Sequence, residues 1–332
     1  MLNVLIAGAG FMGKTHANVY KDIGVNIVAL LETNDDSAAE FAKEYGCATY
    51  KTLSEALKSE KIDIVDICLP TFLHENVAVE ALQAGRHVLL EKPIALTFDS
   101  AGRIVDAAKA SAGMFMVAQV LRFWPEYVKI KELKDAGELG ENITVYANRL
   151  AQTPTWSPWF TQLDKSGGGL FDLMMHDVDY INHLFGLPKT VYAVGRKSDY
   201  GAWNNVIASF TYADGTNAVV EMQYEMTSGY PFSMNLRAMG SQGTVDFKFS
   251  AGFNLEDRES AINSFMFYSD NNDPVSLEKE NIDAYEKELR YFVDCVKGGT
   301  HPSIMTPDSI MITMRMIDAV KRSLETGEKV IL

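Results

Sequence analysis

Cysteine is scarce: Cys47, Cys68 and Cys295 are three in 332 residues. An odd, scattered set without C-x-x-C spacing argues against a disulfide framework and a structural zinc site, and points to a reducing, cytoplasmic setting. Positive charge is short as well, since 30 Lys and Arg face 44 Asp and Glu and leave a formal charge of −14. Phosphate backbones and anionic membrane surfaces are poor partners for such a field, so neither nucleic acid nor membrane is expected. No apolar run approaches the roughly 18–20 residues needed to cross a bilayer. The opening stretch Met1 to Ala7 has no basic residue ahead of it, unlike a signal peptide, and Lys14 comes only afterwards. Proline-, serine- or glutamine-rich tracts and internal repeats are missing too. What remains is an ordinary soluble composition, 47% apolar and 22% charged, long enough for two domains.

Up to about residue 120, short apolar runs alternate with helical patterns. Val4–Ala7, Asn26–Leu31, Ile64–Cys68, Val88–Leu90 and Met114–Ala118 read as strands buried on both faces. Thr52-Leu53-Ser54-Glu55 has capping-box form, and Gly85 and Gly113 stand where helices beginning near His74 and Asp99 should stop. This rhythm implies an α/β, doubly wound parallel sheet over 1–120. From 121 to 332 it changes. A helix begins at Pro125, Ile143–Arg149 reads as a strand, Thr153–Gly169 as a loop, and Leu170–Phe185 as a helix closed by Gly186 and Pro188. Thr190–Lys197, Val206–Tyr212, Asn217–Glu225, Met234–Met239 and Thr244–Phe249 follow as strands, with turns at Asp214-Gly215 and Gln242-Gly243. An antiparallel sheet in an α+β domain is expected. Terminal helices at Ile282–Lys297 and from Thr306-Pro307 are free to pack back on the first domain.

Gly8-Ala9-Gly10-Phe11-Met12-Gly13 is a G-x-G-x-x-G between a strand and a helix, the context in which it binds a dinucleotide. Gly8 permits the tight turn, Gly10 leaves room for the pyrophosphate, Gly13 lets helix approach strand, and the N–H groups from Phe11 and Met12 onward face the phosphates. Glu32 ends the second strand, where a carboxylate accepts bonds from the adenosine ribose. No Arg stands beside it for a 2′-phosphate, so NAD is expected over NADP. Lys92 in Glu91-Lys92-Pro93 follows a strand end and so faces the crevice. Its plainer reading is a surface lysine paired with Glu91. Asp172 and His176 are four apart on one helical face, where an imidazole is suited to exchange a proton with substrate. A helix-capping Asp and a core His is the bland alternative. Asp172, His176, Asp179 and His183 also form a stripe of ligand types, but one straight helix cannot wrap them around an ion, so no metal is expected. Trp156, Trp159 and Arg122 are weaker candidates for a substrate pocket, with loop packing and a surface ion pair as their alternatives.

Gly8-x-Gly10-x-x-Gly13, Pro70-Thr71-x-x-His74, Glu91-Lys92-Pro93 and Gly167-Gly168-Gly169-x-x-Asp172-x-x-x-His176 together resemble the Gfo/Idh/MocA oxidoreductases, over nearly the whole chain. The resemblance implies a dinucleotide-binding domain followed by a domain with a large open sheet that forms homodimers or homotetramers. It implies sugar or polyol substrates, with Lys92, Asp172 and His176 as the catalytic set. Pro70, Thr71, His74, Glu91 and Lys92 join the Gly-rich turn and Glu32 as cofactor contacts. Met175 stands where relatives often have Gly, which adds bulk beside the site. Some relatives use transient oxidation for elimination or glycoside cleavage, and a non-catalytic NAD sensor is a further reading.

Overall fold

The computed structural model describes residues 1–155, 158–251, 261–270 and 272–332. In chain order the elements are β1 (Asn3–Ala7), α1 (Phe11–Asp22), β2 (Asn26–Leu31), α2 (Asp35–Tyr45), β3 (Ala48–Tyr50), α3 (Leu53–Ser59), β4 (Ile64–Ile67), α4 (His74–Gln83), β5 (His87–Glu91), α5 (Phe98–Ala110) and β6 (Phe115–Ala118). Then come α6 (Pro125–Asp135), β7 (Thr144–Leu150), α7 (Leu163–Ser166), α8 (Met175–Phe185), β8 (Thr190–Lys197), β9 (Trp203–Thr211), β10 (Asn217–Gln223), β11 (Ser233–Met239) and β12 (Gly243–Ser250). The chain finishes with β13 (Ile262–Ser269), β14 (Val275–Ser276), α9 (Ala284–Gly298), α10 (Pro307–Thr326) and β15 (Val330–Ile331). No described helix is long and apolar enough to cross a membrane.

Two compact units result. The first comprises Met1–Phe123 and Ile282–Met311, the second Trp124–Asn281 and Ile312–Leu332. The C-terminal segment is thus shared, with α9 in the first unit and most of α10 in the second.

The first unit holds a six-stranded parallel sheet in the order β3-β2-β1-β4-β5-β6. This is the dinucleotide-binding order, and its reversal point lies between β1 and β4, where a crevice opens at the strand ends. The central strands are mostly apolar, Asp66 of β4 apart, because helices cover both faces. Val4, Leu5, Ile6, Ile64, Val65, Val88, Leu89 and Leu90 are all fully buried. Thr52 and Glu55 form the reciprocal capping box that starts α3. Strand β3 escapes the periodicity reading because its three residues sit half-exposed at the sheet edge. Gly113 is no helix stop: α5 ends at Ala110 with Ser111 as its cap. A Cβ on Gly113 would instead lie 2.0 Å from the Arg86 carbonyl oxygen, so close backbone approach requires the glycine.

The second unit is built on nine strands in the order β14-β13-β12-β11-β7-β10-β9-β8-β15. Its pairs are antiparallel except β7 with β10, which run parallel from Thr144↔Asn217 to Leu150↔Gln223. Between those two strands the chain passes through α8 and the β8–β9 hairpin, so β10 returns beside β7 in the same direction, as a crossover does. Inward side chains alternate along each strand, as with Val145, Ala147, Val220, Met222, Leu236 and Phe247. Tyr127 of α6 meets Tyr180 of α8 edge-on at 4.7 Å and Phe247 of β12 at 5.6 Å. One charged pair lies in this core: Arg149 on β7 grips Asp177 on α8 with two bonds of 2.8 and 3.2 Å. Both side chains are almost wholly buried. Bidentate geometry is what makes such a buried pair tolerable, and it fixes the roll of α8 against the sheet.

Candidate active site

The Gly-rich turn is shaped by contacts that leave no room for side chains at two of its positions. Gly8 sits at φ +102°, and a Cβ on Gly13 would fall 1.9 Å from the Gly8 carbonyl oxygen. Gly10 differs, since a Cβ there would meet nothing within 4 Å. Nothing in the protein requires its smallness, whereas a pyrophosphate lying against the turn would. Helix α1 begins here without a side-chain cap and without an acidic residue in its first turn. Its positive end therefore stays available to an anion. Glu32 reaches back to this turn, accepting from the Ala9 N–H at 3.1 Å and the Asn34 N–H at 2.9 Å. Lys51 lies nearby, but it is bound to Asp35 at 2.5 Å and to the Thr33 carbonyl at 2.9 Å. The residues present fit NAD: an uncapped helix end and an open cradle for the phosphates, and a strand-end carboxylate for the ribose.

Lys92 follows β5 directly and is half-buried. Two other residues expected to contact cofactor instead support this loop. His74 is fully buried, with Nδ1 2.9 Å from the Pro93 carbonyl oxygen and Nε2 2.7 Å from that of Leu69. Burial holds its pKa below the ordinary histidine value. Glu91 is 6% exposed, and one of its oxygens accepts from the Lys92 N–H at 2.9 Å. Their side chains point into the protein and brace the turn. Pro70 and Thr71 open a short 3₁₀ turn, Thr71–Leu73, at the head of α4, with Thr71 nearly buried.

In the second unit the helix expected from Leu170 to Phe185 is not uniform. Leu170–Met174 is a π-helical turn, and α-helix begins only at Met175. Asp172 and His176 are therefore not related by a plain α-helical step. Widened turns of this kind occur often at functional sites. The turn is pressed against the sheet by the glycines before it. A Cβ on Gly168 would lie 2.5 Å from that of Ala202, and one on Gly169 3.0 Å from both Met222 Sδ and Tyr224 Cβ. Asn204, fully buried on β9, accepts from the Gly169 N–H at 2.9 Å and donates to the Tyr200 hydroxyl. Tyr224, just past β10 and 2% exposed, donates its hydroxyl to the Asp172 carboxylate. Burial and the facing carboxylate push the Tyr224 pKa far up, so it stays a phenol that donates.

Within residues 170–182, only Asp172 and His176 are not buried. The other residues of this stretch are committed to the core. Asp177 is held by Arg149, and Asp179 accepts from the Thr313 hydroxyl at 2.7 Å, itself 2.9 Å from the Asn182 amide that donates to it. Asp179 is thus a core anchor rather than part of a metal-ligand stripe. Met175 is fully buried, so its bulk goes into the core and not beside the site. Arg122 is also absorbed by packing: at 4% exposure it donates to the Ile304 carbonyl at 2.7 Å and the Ser309 hydroxyl at 2.9 Å. It anchors the C-terminal segment of the first unit, which accounts for a buried guanidinium without a substrate. Trp159 stacks on Phe160 at 4.3 Å, and Trp156 lies outside the described residues. Asn204 and Tyr224, which hold the Gly169 backbone and Asp172, are contacts that sequence reading missed. For Tyr224 the signal was present, because the inward alternation Ala218, Val220, Met222 continues to it.

A parallel sheet of this order with an open phosphate cradle is the arrangement of a dinucleotide-binding protein. Residues 2–119 match the oxidoreductase family NAD-binding Rossmann fold of the Gfo/Idh/MocA group, and residues 127–246 match the C-terminal domain of that family. The chain belongs to the Gfo/Idh/MocA oxidoreductases. It is 27% identical over 88% of its length to Oxidoreductase P35 of Formosa agariphila, covering 91% of that protein. It is 24% identical over 99% of its length to a myo-inositol 2-dehydrogenase of Thermotoga maritima, covering 98% of that protein. The crystal structure of an aldose-aldose oxidoreductase from Caulobacter crescentus superposes with a TM-score of 0.87 at 20% identity, covering 100% of this chain and 99% of that one.

Two substitutions test these assignments. Gly10→Val introduces a side chain into open space at an extended φ of −74°, so stability should change by less than about 0.5 kcal/mol. NAD affinity, measured by calorimetry, should fall roughly 100-fold through the clash with the pyrophosphate. Tyr224→Phe removes a hydrogen bond to a carboxylate, a loss of about 1.5–3 kcal/mol where the bond is made. Turnover should fall about tenfold or more while NAD affinity stays at the wild-type level.

Proposed function

We propose that this chain is an NAD-dependent dehydrogenase that oxidises a secondary hydroxyl of a sugar, an inositol or another polyol. The observation that carries the reading is the emergence of Asp172 and His176 alone from an otherwise buried stretch. An acid–base pair is thereby offered to a ligand by an element that has no freedom to move away. The full-length similarity to a protein named myo-inositol 2-dehydrogenase supports the substrate class.

When bound, the nicotinamide supplies the acceptor for the hydride that leaves the carbinol carbon. The protein must take up the hydroxyl proton. His176 is the base for that proton, and imidazole suits the task because its ordinary pKa of about 6.5 lies near working pH. Lys92 donates a hydrogen bond to the oxygen as alkoxide charge develops. Asp172, its carboxylate fixed by the Tyr224 hydroxyl, keeps the substrate hydroxyls in register.

The second unit also supports self-association. Tyr192, Val194, Ile207 and Met239 project from the open face of its sheet with 42–50% of their surface exposed. Apolar groups on a broad sheet face mark an association surface, and a homodimer or homotetramer through it suits this chain. The three cysteines are unpaired thiols, which favours a reducing cytoplasmic compartment.

The decisive experiment incubates the protein and NAD with a panel of inositols, aldoses, amino sugars and sugar acids and follows nicotinamide reduction. Net accumulation of NADH with one of them is expected, and turnover without accumulation would indicate transient oxidation in an elimination. His176→Ala should lower turnover by about 10²–10⁴ while NAD binding is retained; full activity in that variant would refute the assignment. For assembly, Ile207→Lys should shift the wild-type oligomer to monomer in sedimentation velocity, and a monomeric wild type would end the association proposal.

A further inference from the structure

Beneath the cofactor turn, the first unit contains a sealed cluster of ionisable side chains that the mechanism above does not use. His16 of α1 is fully buried. Its Nδ1 lies 2.8 Å from an oxygen of Asp66 on β4, also fully buried, and its Nε2 lies 3.3 Å from an oxygen of Glu91 at the end of β5. The first contact is a hydrogen bond and the second an ion pair. The Cys68 thiol lies 3.4 Å from Nδ1 and the Tyr285 ring of α9 lies 6.5 Å from the imidazole, while Tyr20 of α1 faces Asp66 and Cys68, and Glu288 of α9 faces Tyr20 and Tyr285. Burial keeps Tyr20, Cys68 and Tyr285 protonated.

His16, Asp66 and Cys68 have donor types that suit a metal ion and lie within 4.8 Å of one another. In this structure the His16 Nδ1 and Asp66 Oδ2 atoms lie at hydrogen-bond distance, 2.8 Å, and share a proton. The geometry calls for a cation in a different form. A neutral imidazole would leave one of the two carboxylates without an opposite charge, whereas an imidazolium hydrogen-bonds Asp66 through Nδ1 and meets Glu91 through charge alone, its buried Nε2 making no hydrogen bond. Burial is the largest influence and opposes that charge, but Asp66 and Cys68 together more than offset it and hold the His16 pKa well above the ordinary histidine value.

We infer that His16 is a positioning residue for Lys92: as an imidazolium it ties Asp66 in the sheet core to Glu91, whose other oxygen holds the Lys92 backbone N–H. The chain of contacts runs from Asp66 Oδ2 to His16 Nδ1, from His16 Nε2 to Glu91 Oε1, and from Glu91 Oε2 to Lys92 N. Because His16 lies in α1, the helix that opens at the phosphate cradle, the same link couples the cofactor turn to the lysine. This rests on the proposed role of Lys92.

The test compares His16→Gln, Glu91→Gln, their double variant and Lys92→Met in the full-length chain. Imidazole nitrogen NMR at pH 8.5 should show His16 doubly protonated; a neutral His16 would overturn the inference. In His16→Gln, hydrogen exchange at the Lys92 amide should quicken at least tenfold while Val88 and Leu89 in β5 keep their protection. Unchanged exchange at Lys92, or equal loss throughout β5, would show a merely structural role. With a substrate from the panel, kcat should fall about 10- to 100-fold with KM within threefold, and the double variant should lose no more than either single one. If His16→Gln does not fold, Glu91→Gln carries the same readouts, and a wild-type kcat in it overturns the inference. Lys92→Met separates the two claims. Its full activity would sink the role of Lys92, whereas its inactivity beside a fully active His16→Gln would sink only the positioning role.

Discussion

The approach of α1 to β1 is the contact on which the rest of the first unit depends. With a Cβ on Gly13 only 1.9 Å from the Gly8 carbonyl oxygen, no other residue permits that distance, and the helix would otherwise stand away from the sheet. Once it is down, three things follow. Its uncapped end faces the crevice at the point where the strand order reverses. Its second turn places His16 among the strand-end carboxylates of β4 and β5. The loop after β5, braced by His74 and Glu91, then presents Lys92 from a fixed backbone. Charge in this interior survives because it is paired, since an isolated buried ion is far costlier than one held by opposite charge.

The second unit solves a comparable problem by different means. The segment holding Asp172 and His176 is immobilised by giving nearly all its other residues to the core. Arg149 and Asp177 fix its roll, Thr313 ties Asp179 and Asn182, and Tyr180 donates to the Tyr127 carbonyl at 2.6 Å. Ahead of it, the close approach of Gly168 and Gly169 to β9 and β10 leaves the widened turn as the way to bring Asp172 against Tyr224. Rigidity around a reacting pair has a functional value, because small misplacements of catalytic groups lower rates steeply.

Specificity for the cofactor shows how local chemistry and neighbourhood combine. Glu32 favours an unphosphorylated ribose, and Lys51, close by, is occupied by Asp35 and the Thr33 carbonyl. A 2′-phosphate would have to displace Asp35 from that lysine while facing the Glu32 carboxylate, which is electrostatically unfavourable.

Strand-helix alternation, the Gly-rich turn, the capping box at Thr52 and the helix starts at Pro125 and Pro307 were legible in the chain because each rests on contacts within a few residues. The same holds for the placing of Lys92 just after a strand and of Asp172 and His176 in one helical segment. Tertiary structure alone decided what faced them. Parallel pairing of β7 with β10, the inward use of Arg122, and the Tyr224–Asp172, His16–Asp66 and His16–Glu91 contacts all join residues distant in sequence. Periodicity reports which side of an element is apolar, but a polar side chain on the buried side is defined by its partner. That partner is chosen by how sheets and helices stack.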